Sequence, residues 1–154
     1  LSTNGSGKRI LVVDDDDAIR ALLFTVLRRR GFQVDTGRNG MEALERCSLC
    51  RYSIVLLDLM MPRMNGWEVI DHLARKALEE RPMVIVLTAG GEPRNFPPDL
   101  VAGTIRKPFD IELLLDTIVG CLTSVEPRPQ GADCPPAESE RPSAPQTSQA
   151  EKPN

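Results

Sequence analysis

At 154 residues, the chain has room for one domain of ordinary size with a full core. A hydrophobic fraction of 41%, a charged fraction of 27% and a net charge of −3 give no electrostatic reason to expect nucleic acid as a direct partner. No apolar run approaches the length of a membrane span, so no membrane is expected, and the cytoplasm is the expected compartment. The polar start from Leu1 to Lys8 is not a signal peptide, and the missing initiator methionine favours a piece of a longer protein.

Residues 1–8 are small and polar and are expected to be disordered. Ile10-Leu11-Val12-Val13 then reads as a strand buried on both faces, and it ends in Asp14-Asp15-Asp16-Asp17. Ile19, Leu22, Leu23, Val26 and Leu27 form one stripe of an amphipathic helix. Asp16 or Asp17 can cap its start, and Arg28-Arg29-Arg30 suits its C-terminal dipole before Gly31 stops it. Phe32-Gln33-Val34-Asp35 reads as a short edge strand, and Met41, Leu44 and Cys47 mark a second helix.

Ile54-Val55-Leu56-Leu57 is another buried strand, and it runs straight into Asp58 and a turn-rich loop ending at Asn65-Gly66. Ile70, Leu73, Ala74 and Ala77 define a third helix, closed by Arg81-Pro82. Met83 to Leu87 forms the next buried strand, ending at Thr88-Ala89. The stretch from Gly90 to Pro98 carries three prolines in nine residues and allows only a short helical turn around Asp99 to Ala102. Thr104-Ile105-Arg106 reads as the last strand, ending at Lys107-Pro108-Phe109. Asp110 is a good N-cap for a final helix with Ile111, Leu114, Leu115, Ile118, Val119 and Leu122 on one face. From residue 123 on, seven of the 13 prolines lie in 32 residues with almost no large apolar side chain. Residues 124–154 are therefore expected to be a disordered tail or linker, leaving 9–123 as the folded unit.

The element order is βαβαβαβ(α)βα, which right-handed crossovers turn into a parallel sheet covered by helices on both faces. Asp14, Asp15, Asp58, Thr88 and Lys107 all follow strands, at the edge where open α/β sheets place their chemistry. Close carboxylates repel, and a hard divalent cation with oxygen ligands relieves that repulsion; Mg2+ suits a site with few protein ligands. Asp14, Asp15 and Asp58 are candidate ligands, with a backbone carbonyl offered by the loop after Asp58. Thr88 can donate a hydroxyl hydrogen bond to a phosphoryl oxygen and Lys107 an ammonium to another. The chemistry implied is phosphoryl transfer onto a carboxylate. His72 reads as a solvated helix residue, and the Cys47-x-x-Cys50 pair as one core residue and one incidental residue.

Val12-Val13-Asp14-Asp15, Leu57-Asp58-Leu59-Met60-Met61-Pro62, Val86-Leu87-Thr88-Ala89 and Lys107-Pro108-Phe109 resemble the receiver domain of two-component response regulators. The resemblance implies a doubly wound, flavodoxin-like sheet of five parallel strands in the order 2-1-3-4-5. It makes Asp58 the phosphoacceptor, supplied by a sensor histidine kinase or a histidine phosphotransfer protein, with an unidentified output protein downstream. It implies Mg2+ on Asp15, Asp58 and the Met60 carbonyl, with Asp14 acting mainly through water. Thr88 and Lys107 take the switch and phosphate-binding roles, and the bond before Pro108 is cis. Such a domain assists its own phosphorylation and dephosphorylation without being an enzyme acting on other molecules.

Two departures from the family pattern stand out. Only 18 residues separate Thr88 from Lys107, so the helix between the last two strands, the family's fourth, is expected to be shortened or irregular. The position three before the lysine, usually aromatic, is Thr104. An unconventional output surface follows as an expectation, with loop 90–99 changing order on phosphorylation. An aspartate-nucleophile hydrolase wants a second carboxylate two residues after the nucleophile, where this chain has Met60. A receiver-like module that no longer takes phosphate usually lacks an acidic residue, the threonine or the lysine, and all are present here. The absence of a DNA-binding helical domain after the final helix argues against an attached transcriptional output, and oligomeric state stays open.

Overall fold

The computed structural model describes residues 8–90 and 95–123. The expected disorder at 1–7 and 124–154, and positions 91–94 of the proline-rich loop, lie outside the described residues. Five strands, β1 (Arg9–Val13), β2 (Gln33–Gly37), β3 (Ile54–Asp58), β4 (Met83–Thr88) and β5 (Val101–Arg106), form one parallel sheet in the order β2-β1-β3-β4-β5. The helices are α1 (Asp17–Arg29), α2 (Gly40–Leu49), α3 (Gly66–Ala74) and α4 (Ile111–Thr123). This is the doubly wound, flavodoxin-like arrangement expected.

The strand pleat divides the core in two. Leu11, Val13, Val55, Leu57, Val84 and Val86 point to the face covered by α2 and α3. Ile10, Val12, Ile54, Leu56, Ile85 and Leu87 point to the opposite face, under Leu23 and Leu27 of α1 and Leu114, Leu115 and Ile118 of α4. Strands β1, β3 and β4 are thus covered on both sides, which is why they read as unbroken apolar runs.

Local chemistry sets the helix starts. Asp16 caps α1 by accepting from the Ala18 and Ile19 amides. At α3, Asn65 and Glu68 form a reciprocal capping box. Asp110 accepts from the Glu112 amide at the start of α4.

Several expectations are corrected. Helix α3 stops at Ala74 instead of running on to Ala77, and a 3-10 turn spans Leu78–Glu80. The Arg81 guanidinium takes over the orphaned carbonyls, donating to Ala74 and Lys76. Strand β5 starts at Val101, three residues before Thr104, and among the described residues no helix joins it to β4. Leu100 and Val101 both donate to the Pro97 carbonyl in a turn, and Val84 donates to the Leu100 carbonyl, which starts the pairing early. Ala102, placed in the expected helical turn, is therefore a strand residue. Strand β2 extends to Gly37, and Asp35 in it is buried, held by Arg9 and by the Tyr52 hydroxyl at 2.6 Å. Leu22 and Met41 are exposed, although they fall on the periodic stripes of α1 and α2. Cys50 is buried in the α2/α3 core and is not incidental, while His72 is exposed.

Candidate functional site at the carboxyl edge of the sheet

The pairing of β1 with β3 brings Asp14 beside Asp58, because Val13 pairs with Leu57 and each aspartate follows its partner. Asp14 is fully buried and Asp58 nearly so, whereas Asp15 is exposed. One carboxylate oxygen from each of Asp14, Asp15 and Asp58 lies within 4.8 Å of the others. Asp14 is held from several directions: its side chain accepts from the Asp16 amide at 2.9 Å, and its carbonyl accepts from Arg20 Nη1 at 2.8 Å.

Lys107 enters from the end of β5. Its Nζ donates to Asp14 Oδ2 at 2.7 Å and lies 3.6 Å from Asp58 Oδ1. The Lys107 amide donates to the Thr88 carbonyl at 2.7 Å, which locks the lysine to the end of β4. The Lys107–Pro108 bond is cis. Thr88 Oγ1 accepts from the Gly90 amide at 3.2 Å. Met60 is 72% exposed, so its side chain closes nothing, but its amide donates to Asp58 Oδ1 at 3.3 Å.

The loop after Asp58 is tied down by a close helix approach. A Cβ at Gly66 would sit 2.6 Å from the Asp58 carbonyl oxygen, so only glycine lets α3 start this near the acidic edge. The Gly66 amide donates to the Leu59 carbonyl at 3.0 Å across that contact.

Electrostatics follow from the geometry. Burial is the largest effect on Asp58, and the Asp14 charge adds to it, together raising the carboxyl from 3.8 to about 6 against the opposing pull of Lys107 and the Met60 amide. For Lys107, burial works against the charge, but the hydrogen bond and attraction to Asp14, with Asp58 behind it, leave its pKa raised. Among the described residues, the cluster holds three carboxylates against one closely paired ammonium. That donor set of close oxygen atoms fits a hard divalent cation.

The structure therefore brings Asp14, Asp15, Asp58 and Lys107 together and sets Thr88 at the adjoining strand end. Sequence reasoning overlooked Arg106, whose guanidinium lies against Gly90, and the stacked pair of Trp67 and Phe96, with ring centroids 4.8 Å apart. Arg106 ends β5 directly before Lys107, and that place in the sequence gives no sign of its contact with Gly90. Nothing in the spacing of Trp67 and Phe96 announces their contact.

A parallel 2-1-3-4-5 sheet with an acidic cluster and a lysine at its carboxyl edge defines a class of CheY-like signalling domains. The family model for the response regulator receiver domain matches residues 10–119, and the chain belongs to that family. It is 35% identical over 114 residues to sporulation initiation phosphotransferase F of Bacillus subtilis, covering 72% of this chain and 90% of that protein. It is 41% identical over 104 residues to the transcriptional regulatory protein ResD of Bacillus subtilis, covering 66% of this chain and 42% of that one. The chain thus spans nearly all of the first relative and under half of the second. Among solved structures, a CheY-like receiver domain protein from Methanospirillum hungatei superposes with a TM-score of 0.67 at 30% identity, covering 76% of this chain and 95% of that one. The response regulator TrrA from Thermotoga maritima, in complex with Mg(2+)-BeF, gives 0.63 at 34% identity, covering 74% of this chain and 98% of that one. No helix among the described residues is long and apolar enough to cross a membrane.

Proposed function

We propose that this chain is the phospho-accepting receiver of a two-component or phosphorelay pathway, with Asp58 as acceptor. The donor is a phosphohistidine on a sensor histidine kinase or histidine phosphotransfer protein, and the output is a protein contact. The observation that carries the reading is the Lys107 ammonium between the buried Asp14 and Asp58 carboxylates, beside Asp15. The likeness to a protein named as a phosphotransferase and to one solved in complex with Mg(2+)-BeF supports it.

In the transfer, a carboxylate oxygen of Asp58 forms a bond to phosphorus. The P–N bond to the donor imidazole breaks, and its electron pair leaves on that nitrogen. Asp58 is held rigidly by the Met60 amide and the end of β3, so it meets the donor without reorganisation. Lys107 keeps its proton and offers an N–H to a phosphoryl oxygen, a role aided by its raised pKa. Thr88 offers its hydroxyl to another. Asp15, Asp58 and the Met60 carbonyl would hold Mg2+, with Asp14 acting mainly through water, and the ion would supply charge neutralisation for the acidic cluster and the phosphoryl oxygens.

Intact mass after incubation with acetyl phosphate and Mg2+ tests the reading on the wild type and Asp58→Asn. One phosphoryl adduct that requires Mg2+ and vanishes in the variant is expected. An unmodified wild type that also binds no Mg2+ contradicts the reading and leaves a phosphate-independent interaction module.

A further inference from the structure

We propose that Arg106 is a second phosphoryl-binding cation of the Asp58 site, reaching it across the bare backbone of Gly90. The inference rests on the phosphoacceptor reading and adds a residue to it. Gly90 has φ +106 and follows Thr88 by two residues. A Cβ built on it would lie 2.9 Å from Arg106 Nη2, 3.1 Å from Nε and 3.3 Å from Cζ. The guanidinium thus occupies the space that a side chain at position 90 would fill. The same Gly90 donates its amide to Thr88 Oγ1, and Arg106 itself pairs with Thr88 in the β4–β5 register. The cation is therefore one residue's width from the hydroxyl that would meet the phosphoryl group.

The group is also available. Arg106 is exposed, and no carboxylate among the described residues forms an ion pair with it. Its side chain leaves β5 on the face opposite the buried Ile105, where no helix covers the strand among the described residues.

Charge makes a second cation useful. Three carboxylates, the Lys107 ammonium and one divalent ion sum to zero. Conversion of Asp58 to a dianionic acyl phosphate leaves the cluster one negative charge in excess. A guanidinium cancels that excess, and its planar fork of donors matches two phosphoryl oxygens at once. No other described cation is set both against Gly90 and free of a carboxylate.

The test is titration of wild type, Arg106→Ala and Arg106→Lys with beryllofluoride in saturating Mg2+, read by fluorine NMR. Mg2+ affinity alone and the unfolding midpoint are measured beside it. Arg106→Ala is expected to weaken beryllofluoride binding about tenfold with unchanged Mg2+ affinity and midpoint, and Arg106→Lys to recover part of the loss. Equal beryllofluoride affinity in wild type and Arg106→Ala overturns the inference while leaving Asp58 as acceptor. Parallel losses of Mg2+ and beryllofluoride binding also overturn it, since they mark a general electrostatic or structural effect. A wild type that takes neither beryllofluoride nor a phosphoryl group removes the acceptor reading and this inference together.

Discussion

The two halves of the sheet are built differently. Strands β1 and β3 are packed on both faces, with α1 and α4 on one side and α2 and α3 on the other. At the far edge, β5 has only Ile105 buried, Thr104 is exposed, and a Cβ at Gly103 would meet nothing within 4 Å. Among the described residues of the connection, a turn at Pro97, and no helix, brings Leu100 into the α2/α3 core, and Phe96 stacks on Trp67 of α3. The acidic cluster needs only the regular half plus one lysine from β5. The acidic cluster can therefore persist while the neighbouring surface is built differently.

That contrast can be broken most forcefully in the core. Leu56→Ala, on the central strand and fully buried, should cost about 2–5 kcal/mol in denaturant unfolding. A loss under half that size would mean the regular half is looser than its packing indicates.

Removing the Asp58 charge should act in the opposite direction. The folded-state value of about 6 lies above the ordinary 3.8. The folded protein therefore binds more protons between those values, and stability falls as pH rises through that window. The full cost is present above it. Asp58→Asn should stabilise the metal-free protein at neutral pH by about 1–3 kcal/mol and flatten the stability profile between about pH 4 and 6. Unchanged stability at neutral pH would contradict the cost assigned to burying the Asp58 charge beside Asp14.

A smaller effect is expected at the rebuilt edge. Phe96→Ala loses the stack on Trp67 and should cost about 1–2 kcal/mol, less than Leu56→Ala. If it costs more, the loop is an integral part of the core and not a replaceable cover. The gentlest probe is amide exchange over residues 95–105 with and without beryllofluoride. Faster or slower exchange there, with little change in β1, is expected of a loop that carries the response; identical exchange removes it from the output path.

The regular half was legible because its signals are local. Apolar runs ending in Asp14 and Asp58, and the caps at Asp16 and Asp110, are each set by neighbours in sequence. The first three residues of β5 escape the sequence pattern because Val101-Ala102-Gly103 has little intrinsic strand character. Its pairing is imposed by β4, through the Val84 amide and the irregular register at Ile85. The early stop of α3 depends on a guanidinium seven residues away, and the exposed Leu22 and Met41 fit their helical stripes while lying beyond the packed face. Arg106 was illegible for the same reason: its meaning depends on the missing side chain at Gly90 on a different strand end.

The most direct test of the account is to find the phosphoryl group on the chain. After incubation with acetyl phosphate and Mg2+, borohydride reduction converts an aspartyl phosphate to homoserine, which peptide mass mapping then locates. The account predicts homoserine at position 58, lost when Mg2+ is withheld. Homoserine at position 14 or 15, with Asp58 intact, would contradict it.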